Sequence, residues 1–291
     1  MPANGRVPLD HELIGIDHLI IGVADLEAAR ADFARLGFNS TPRGRHVGWG
    51  TANYCIMFPG DYLELLGTVD PSQFTNGLDR FLERGEGLLG IVLGSRDVEA
   101  TRVAWEAAGL APEPVRSLGR LLEAEGQPIK LRFRNVLLPR ASLAGLNLFA
   151  CQHLTPEPMR RPAWLAHPNG ARAIRSCTLA VSDVAPVAAA LRGLFGSAAI
   201  TETDNVVAAH TGSGVILAAP PEDAMLIHPL LDLPDELPEP QPVALTLEVA
   251  DPERTASFLK LQGVPFTRSP SGDVLVPPDA AHGVALEFVA G

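Results

Sequence analysis

Cysteine is scarce in this chain and lysine nearly absent. The three cysteines, Cys55, Cys151 and Cys177, are an odd number with no close pairing and no C-x-x-C. That argues against a disulfide framework and fits a reducing, bacterial-type cytoplasm. Lys130 and Lys260 are the only lysines, so nearly all positive charge sits on arginine, the better fork for a carboxylate or phosphate; coding bias gives the same skew. No apolar run approaches the roughly 18 residues that span a membrane. Met1–Asp17 lacks a basic stretch followed by an apolar one, so no signal peptide is expected. Basic residues number 23 against 34 acidic, a formal charge of −11, the wrong sign for a general nucleic-acid binder. G-x-S-x-G, H-E-x-x-H, the P-loop and the dinucleotide fingerprint are all missing. What is present is an ordinary globular composition, 46% apolar and 20% charged over 291 residues, enough for about two domains.

One pattern occurs four times: a short apolar strand, an Asp, a helix-compatible stretch, then Gly. The copies are IIGVADLEAARADFARLG, IVLGSRDVEATRVAWEAAG, TLAVSDVAPVAAALRGLFG and TLEVADPERTASFLKLQG. Asp25, Asp97, Asp183 and Asp251 suit helix N-caps, where a carboxylate accepts from unpaired N–H groups at the positive end of the dipole. Gly37, Gly109, Gly196 and Gly263 suit helix ends, where a left-handed residue stops the helix. Leu26, Ala29, Phe33 and Leu36 share one helical face. Each copy then runs through extended segments such as TANYCIMF and IKLRFRNVLL. It closes on a strand introduced by Gly60, Gly145, Gly214 or Gly283.

The fold class expected is therefore α+β, with four strand–helix–strands units. The Pro-rich segment His153–Ala171 separates units two and three and places the domain boundary near residue 160, giving domains 1–158 and 159–291. Pro220–Pro242 reads as a crossover within the second domain. Within the first segment, Arg160–Trp164 and His167–Gly170 read as linker, with folding over a cup opening as the alternative.

The stretch Gly15–Gly67, with IDHLIIGVADLEAARADFARLGF, GRHVGWGTANYCIMF and YLELLG, resembles the vicinal oxygen chelate superfamily and within it the glyoxalase-like domain group. The later units match by repeat pattern. The resemblance implies βαβββ modules paired into two cup-shaped mixed-sheet barrels. It also implies a divalent metal in a cup, with ligands from the first and last strand of each module.

Tested position by position, unit one offers His18 and Glu64. The same offsets give Gly90 and Phe149 in unit two, Ser176 and Ala218 in unit three, and Ala244 and Glu287 in unit four. No metal is expected in the second cup. In the first, two ligands fall short of the three that catalytic zinc takes from protein. Cys151 and His153 are candidates for the third, Cys151 favouring zinc, and His46 is another. The metal-ligand set is thus His18, Glu64 and His153, for zinc, nickel, manganese or ferrous iron.

Glu64 interrupts an apolar run, where a carboxylate is costly unless paired or metal-bound, and is the expected catalytic group. The plain alternative is one wet strand face shared by Tyr62, Glu64 and Leu66; for His18 it is a hydrogen-bonded histidine at a barrel mouth. His46, Trp49 and Asn53, in a glycine-rich approach to a strand, are substrate-binding candidates with Cys151. Lys130, Arg132 and Arg134 alternate along a strand whose face is expected to be solvated.

Two functions follow. The first is a metal-assisted lyase or isomerase of the glyoxalase-like type acting on a small oxygen-rich molecule in the N-terminal cup. The second is a metal-free protein that binds or sequesters a small molecule, as bleomycin-resistance proteins do. Both are cytoplasmic, with a homodimer as the assembly considered and neither nucleic acid nor membrane as partner. A glutathione-linked aldoketomutase is disfavoured by Phe149, and a ring-cleaving dioxygenase by Gly90.

Overall fold

A computed structural model describes residues 12–124 and 127–291; most of the N-terminal stretch on which the signal-peptide expectation rests, residues 1–11, lies outside them. The first unit is β1 (Leu13–Gly22), α1 (Leu26–Arg35), β2 (Gly44–His46), β3 (Thr51–Met57) and β4 (Tyr62–Thr68). A short helix, α2 (Leu78–Leu82), leads to the second: β5 (Gly87–Ser95), α3 (Val98–Ala107), β6 (Arg116–Leu122), β7 (Ile129–Leu137) and β8 (Leu148–His153). After α4 (Pro162–Leu165) come β9 (Ala171–Ala180), α5 (Val184–Phe195), β10 (Ile200–Thr203), β11 (Val206–His210) and β12 (Val215–Ala219). Then α6 (Pro221–Ile227) precedes β13 (Gln241–Val249), α7 (Pro252–Gln262), β14 (Thr267–Arg268), β15 (Val274–Val276) and β16 (Ala285–Ala290).

The repeat is built by its caps. Asp25 accepts from the backbone N–H of Glu27 and Ala28, Asp97 from Glu99 and Ala100, Asp183 from Ala185, and Asp251 from Glu253. Gly37, Gly109, Gly196 and Gly263 all have positive φ at the helix ends, a conformation that costs glycine little. Leu26, Ala29, Phe33 and Leu36 are buried, as the helical spacing predicts.

Strands β1-β4-β3-β2-β6-β7-β8-β5 form a closed barrel, sealed by antiparallel β1–β5 pairing. The second sheet has the corresponding order, β10-β11-β12-β9-β13-β16-β15-β14, around the β9–β13 pair. Its ends do not meet, so the second cup stays open at the edge where β14 spans just two residues.

Alternation along the barrel strands sorts two apolar layers. Leu19, Ile21, Leu63 and Leu65 join the core between barrel and helices, which continues into the second half. Ile20, Cys55, Met57, Tyr62, Leu66 and Phe133 point into the barrel. Lys130 and Arg132 are exposed on the outer face of β7, as expected.

The segment read as a linker instead packs over the barrel. Met159 is buried in the interior cluster, and Trp164 and Leu165 pack against it. Arg160 donates to the carbonyls of Phe58, Gly60 and Asp61. Imidazole His167 sits 2.9 Å from the Met57 carbonyl through Nε2 and accepts from Asn39 N–H at Nδ1 (3.0 Å).

Candidate functional site in the first barrel

Inside the barrel, ionisable side chains form a buried chain across β1, β4 and β8. Alternation would send Asp17 and His18 to opposite faces. A β-bulge opens between Ile16 and His18, where the pairing to β5 slips from Leu93 to Val92. An extra residue re-aims its neighbours, and both side chains reach one hydrogen-bonded group.

His18 is held from both ring nitrogens. Its Nδ1 lies 2.6 Å from Asp17 Oδ2, and its Nε2 lies 3.3 Å from Glu64 Oε2. The Tyr62 ring stacks on the imidazole at 4.3 Å, and Phe149 meets it edge-on at 6.4 Å. Burial alone would lower the His18 pKa, but its bonds to Asp17 and Glu64 outweigh that and raise it. Glu64 is 5% exposed. Burial pushes its carboxyl up, yet the His18 hydrogen bond and charge bring it down to about 2. Asp17, likewise buried, is held well below the usual carboxylate range by His153 and His18.

Asn53 Nδ2 donates to Glu64 Oε1, and His46 Nε2 lies 3.8 Å from the same oxygen. His46 is oriented by Thr51, 2.9 Å from its Nδ1. Burial lowers its pKa, against the pull of Glu64. Gly44, paired with Asn53, makes this possible: a Cβ there would sit 2.3 Å from Asn53 Oδ1 and 2.9 Å from Arg120 Cδ.

The structure thus brings His18, Glu64, Asn53 and His46 together. It does not bring His153 to Glu64. His153 Nε2 lies 2.9 Å from Asp17 Oδ2, behind the His18 ring. Buried Cys151 has its sulfur near those same two groups, and its thiol pKa is pushed well up by burial. Trp49 is half-buried, 5.5 Å from His46 and edge-on to Phe74. Gly90 and Phe149 supply no donor.

Asp17 and Arg120 were missed by sequence reasoning. A carboxylate directly before His18, and a lone arginine within Ser117–Leu122, were the available signals. In the second sheet Glu287 Oε1 lies 2.8 Å from His228 Nδ1, whose Nε2 is 2.7 Å from Thr178 Oγ1.

Two surface clefts lie elsewhere. One of about 740 Å³ runs between α5, β10 and the start of α6, and one of about 510 Å³ flanks α1. In the larger, Arg192 pairs with Glu202 and Asp183 caps α5.

A glyoxalase-like domain family model matches residues 16–195, more than half of the chain. No curated protein sequence matches it. Among solved structures, a hypothetical protein from Staphylococcus aureus is similar at 12% identity and TM-score 0.67, covering 95% of this chain and 99% of that one. A xylose isomerase-like TIM barrel/4-hydroxyphenylpyruvate dioxygenase fusion protein is similar at 16% identity and TM-score 0.62, over 97% of this chain and 49% of that one. A mutant 4-hydroxymandelate synthase from Streptomyces coelicolor is similar at 14% identity and TM-score 0.59, over 96% and 93%. At these identities the likeness is one of fold. This chain belongs to the glyoxalase-like domain family, within the vicinal oxygen chelate superfamily.

Proposed function

We infer that the chain is an enzyme of the lyase or isomerase kind, acting on a small oxygen-rich molecule in the first barrel with Glu64 as its proton-transfer group. The observation that carries this is the buried Glu64–His18–Asp17 chain. Unpaired carboxylates are costly in an apolar interior, and perturbed buried acids and bases gather at functional sites.

The superfamily implies a divalent cation, and the donors facing Glu64 fit one. His18 Nε2 and Glu64 Oε2 are 3.3 Å apart, and His46 Nε2 is 3.8 Å from Oε1. Adjacent ligands of one ion stand at such spacings, and two imidazoles with a carboxylate suit zinc, nickel, manganese or ferrous iron. Asp17 would stay behind His18 as the outer partner that fixes a metal-bound histidine. Asp17, Cys151 and His153 also cluster, their ligand atoms within 4.8 Å of one another. An ion on either side would displace a histidine–carboxylate hydrogen bond; the Glu64 side is the better seat because two imidazoles face that one carboxylate.

When bound, such an ion supplies Lewis-acid polarisation of a substrate oxygen. The chain's own residues do the rest. Glu64, ionised at neutral pH, accepts a proton from a substrate seated beside it. Asn53 fixes the orientation of that carboxylate, while Asp17 fixes the His18 ring. Tyr62, Phe149 and Phe133 exclude water.

Elemental analysis of untagged protein tests this, on wild type and on the His18→Ala, Glu64→Ala double variant. Near-stoichiometric metal in wild type, lost in the double variant, is expected. A wild type that carries none, and takes up none of the four metals, overturns the cation. Gly90 and Phe149 favour the second reading, a metal-free binding cup, and that outcome would select it.

A further inference from the structure

Arg120 takes no part in the Glu64–His18–Asp17 chain, yet it is 2% exposed. On β6 it alternates inward with Leu118 and Leu122. A guanidinium carries five donors, and buried arginines are ordinarily matched by carboxylates. Here Nη1 donates to Cys55 Sγ at 3.1 Å and Nη2 to Met159 Sδ at 3.0 Å, while buried Nε has no partner. The Phe133 ring lies 5.4 Å from Cζ. Both sulfurs are weak acceptors. Burial pushes the Cys55 thiol up to about 12, so it offers no thiolate. Among the described residues Arg120 forms no ion pair.

Its second partner, Met159, belongs to the connection packed over the barrel. Methionine is the side chain that fills irregular gaps and repacks readily. Room for the arginine stem is kept by Gly44, where a Cβ would press on Arg120 Cδ. The interior therefore holds a cation with unused, forked donors, stoppered by a thioether.

We propose that Arg120 is the carboxylate-binding group of the first barrel and that Met159 is the side chain a substrate carboxylate displaces. This deepens the function inferred above and rests on it for where the chemistry lies. A planar carboxylate takes a guanidinium edge with two parallel hydrogen bonds. With Glu64 already ionised nearby, a singly charged carboxylate is a better match than a dianionic phosphate. The substrate class is then a small organic acid bearing a second oxygen within reach of Glu64.

The test titrates pyruvate, lactate and glycolate, each beside its methyl ester, into wild type and Arg120→Met, before and after chelator treatment. Calorimetry and melting temperature read binding, and NMR of methyl-labelled methionine reads Met159, one of four methionines. At least one acid should bind wild type while its ester does not, with the Met159 methyl resonance shifting. Arg120→Met should weaken that acid by about tenfold or more. Free Arg120→Met should melt higher than wild type, because an unmatched buried cation has been replaced by an apolar chain. Arg120→Lys, which keeps charge but loses the fork, should bind with intermediate strength. The proposal is overturned if no acid binds wild type, if esters bind as well as acids, if Arg120→Met binds acids unimpaired, or if it melts lower than wild type. Metal content reports separately on the function inferred above. A metal-free wild type that binds acids through Arg120 removes the cation and keeps this proposal; a metal-bearing chain whose Arg120→Met binds acids unimpaired does the reverse.

Discussion

Asp61 sits where the barrel meets the second half, and its titration should be written into the stability of the whole chain. The side chain is 3% exposed, and its Oδ1 accepts from the Ile174 N–H at 3.1 Å. Burial pushes its pKa from 3.8 to about 7, against the opposing pull of that hydrogen bond and of Arg160. A carboxyl whose folded pKa is raised binds its proton more tightly folded than unfolded. The stability it contributes is full below about pH 4 and is lost as pH rises through about 7. A rise of about three units is worth roughly 4 kcal/mol at most, of which roughly 3 kcal/mol falls between pH 5 and pH 8. Asp61→Asn keeps an acceptor for Ile174 and removes the titration. Urea midpoints of the two proteins should therefore lie closer at pH 5 than at pH 8, with the variant the more stable at both. Parallel pH profiles would falsify the reasoning, since they would mean that Asp61 ionises freely in a wet seam.

Three further outcomes follow from single contacts. Gly44→Ala places a methyl 2.3 Å from Asn53 Oδ1; the urea midpoint should fall by the equivalent of about 1–3 kcal/mol, and an unchanged midpoint would show that the β2–β3 pair gives way freely. Asp17→Asn removes the negative charge behind His18 while keeping one acceptor oxygen, and should weaken metal binding about 10- to 100-fold in a chelator competition; equal affinity would remove Asp17 from the site. Cys55, Cys151 and Cys177 are free and buried, with thiol pKa values raised by burial. An aromatic disulfide reagent should label all three on unfolding and react slowly in the native protein, whereas rapid native labelling would mean that the barrel opens readily.

What was legible in the sequence was what is local. Each N-cap Asp and terminal Gly acts within one turn of its helix, so the repeat could be read without knowing its partners. Glu64 was legible because a carboxylate between Leu63 and Leu65 breaks a pattern that apolar burial would otherwise complete. Asp17 was not, because its inward turn depends on a bulge set by pairing with β5, a strand about seventy residues further on. Arg120 was hidden for the same reason: nothing in Ser117–Leu122 says that β6 will close the barrel against β2. The connection to the second half was misjudged on composition. Proline-rich polar sequence usually means linker, but Arg160 and His167 find partners on β3 and the turn after it, about a hundred residues away, and Met159 finds Arg120 on β6.

Charge ties the two proposals to each other. Asp17 and Glu64 are held as carboxylates, and His18 is raised towards its protonated form, so the formal charges of the free barrel come close to balance although Arg120 is paired with neither carboxylate. A divalent cation at His18 would replace one proton, leaving the interior more positive by one unit; a bound carboxylate would take that unit back. Each ligand should therefore favour the other, and linkage requires the two effects to be equal. An acid bound through Arg120 should bind more tightly to metal-loaded than to metal-free protein. The same acid should slow metal loss to a chelator, with the two coupling factors agreeing. Arg120→Met should abolish that coupling, and by removing one positive charge it should itself favour metal binding in the absence of acid. If metal and acid bind with no mutual effect, they do not share the first barrel, and one of the two sites has been placed wrongly.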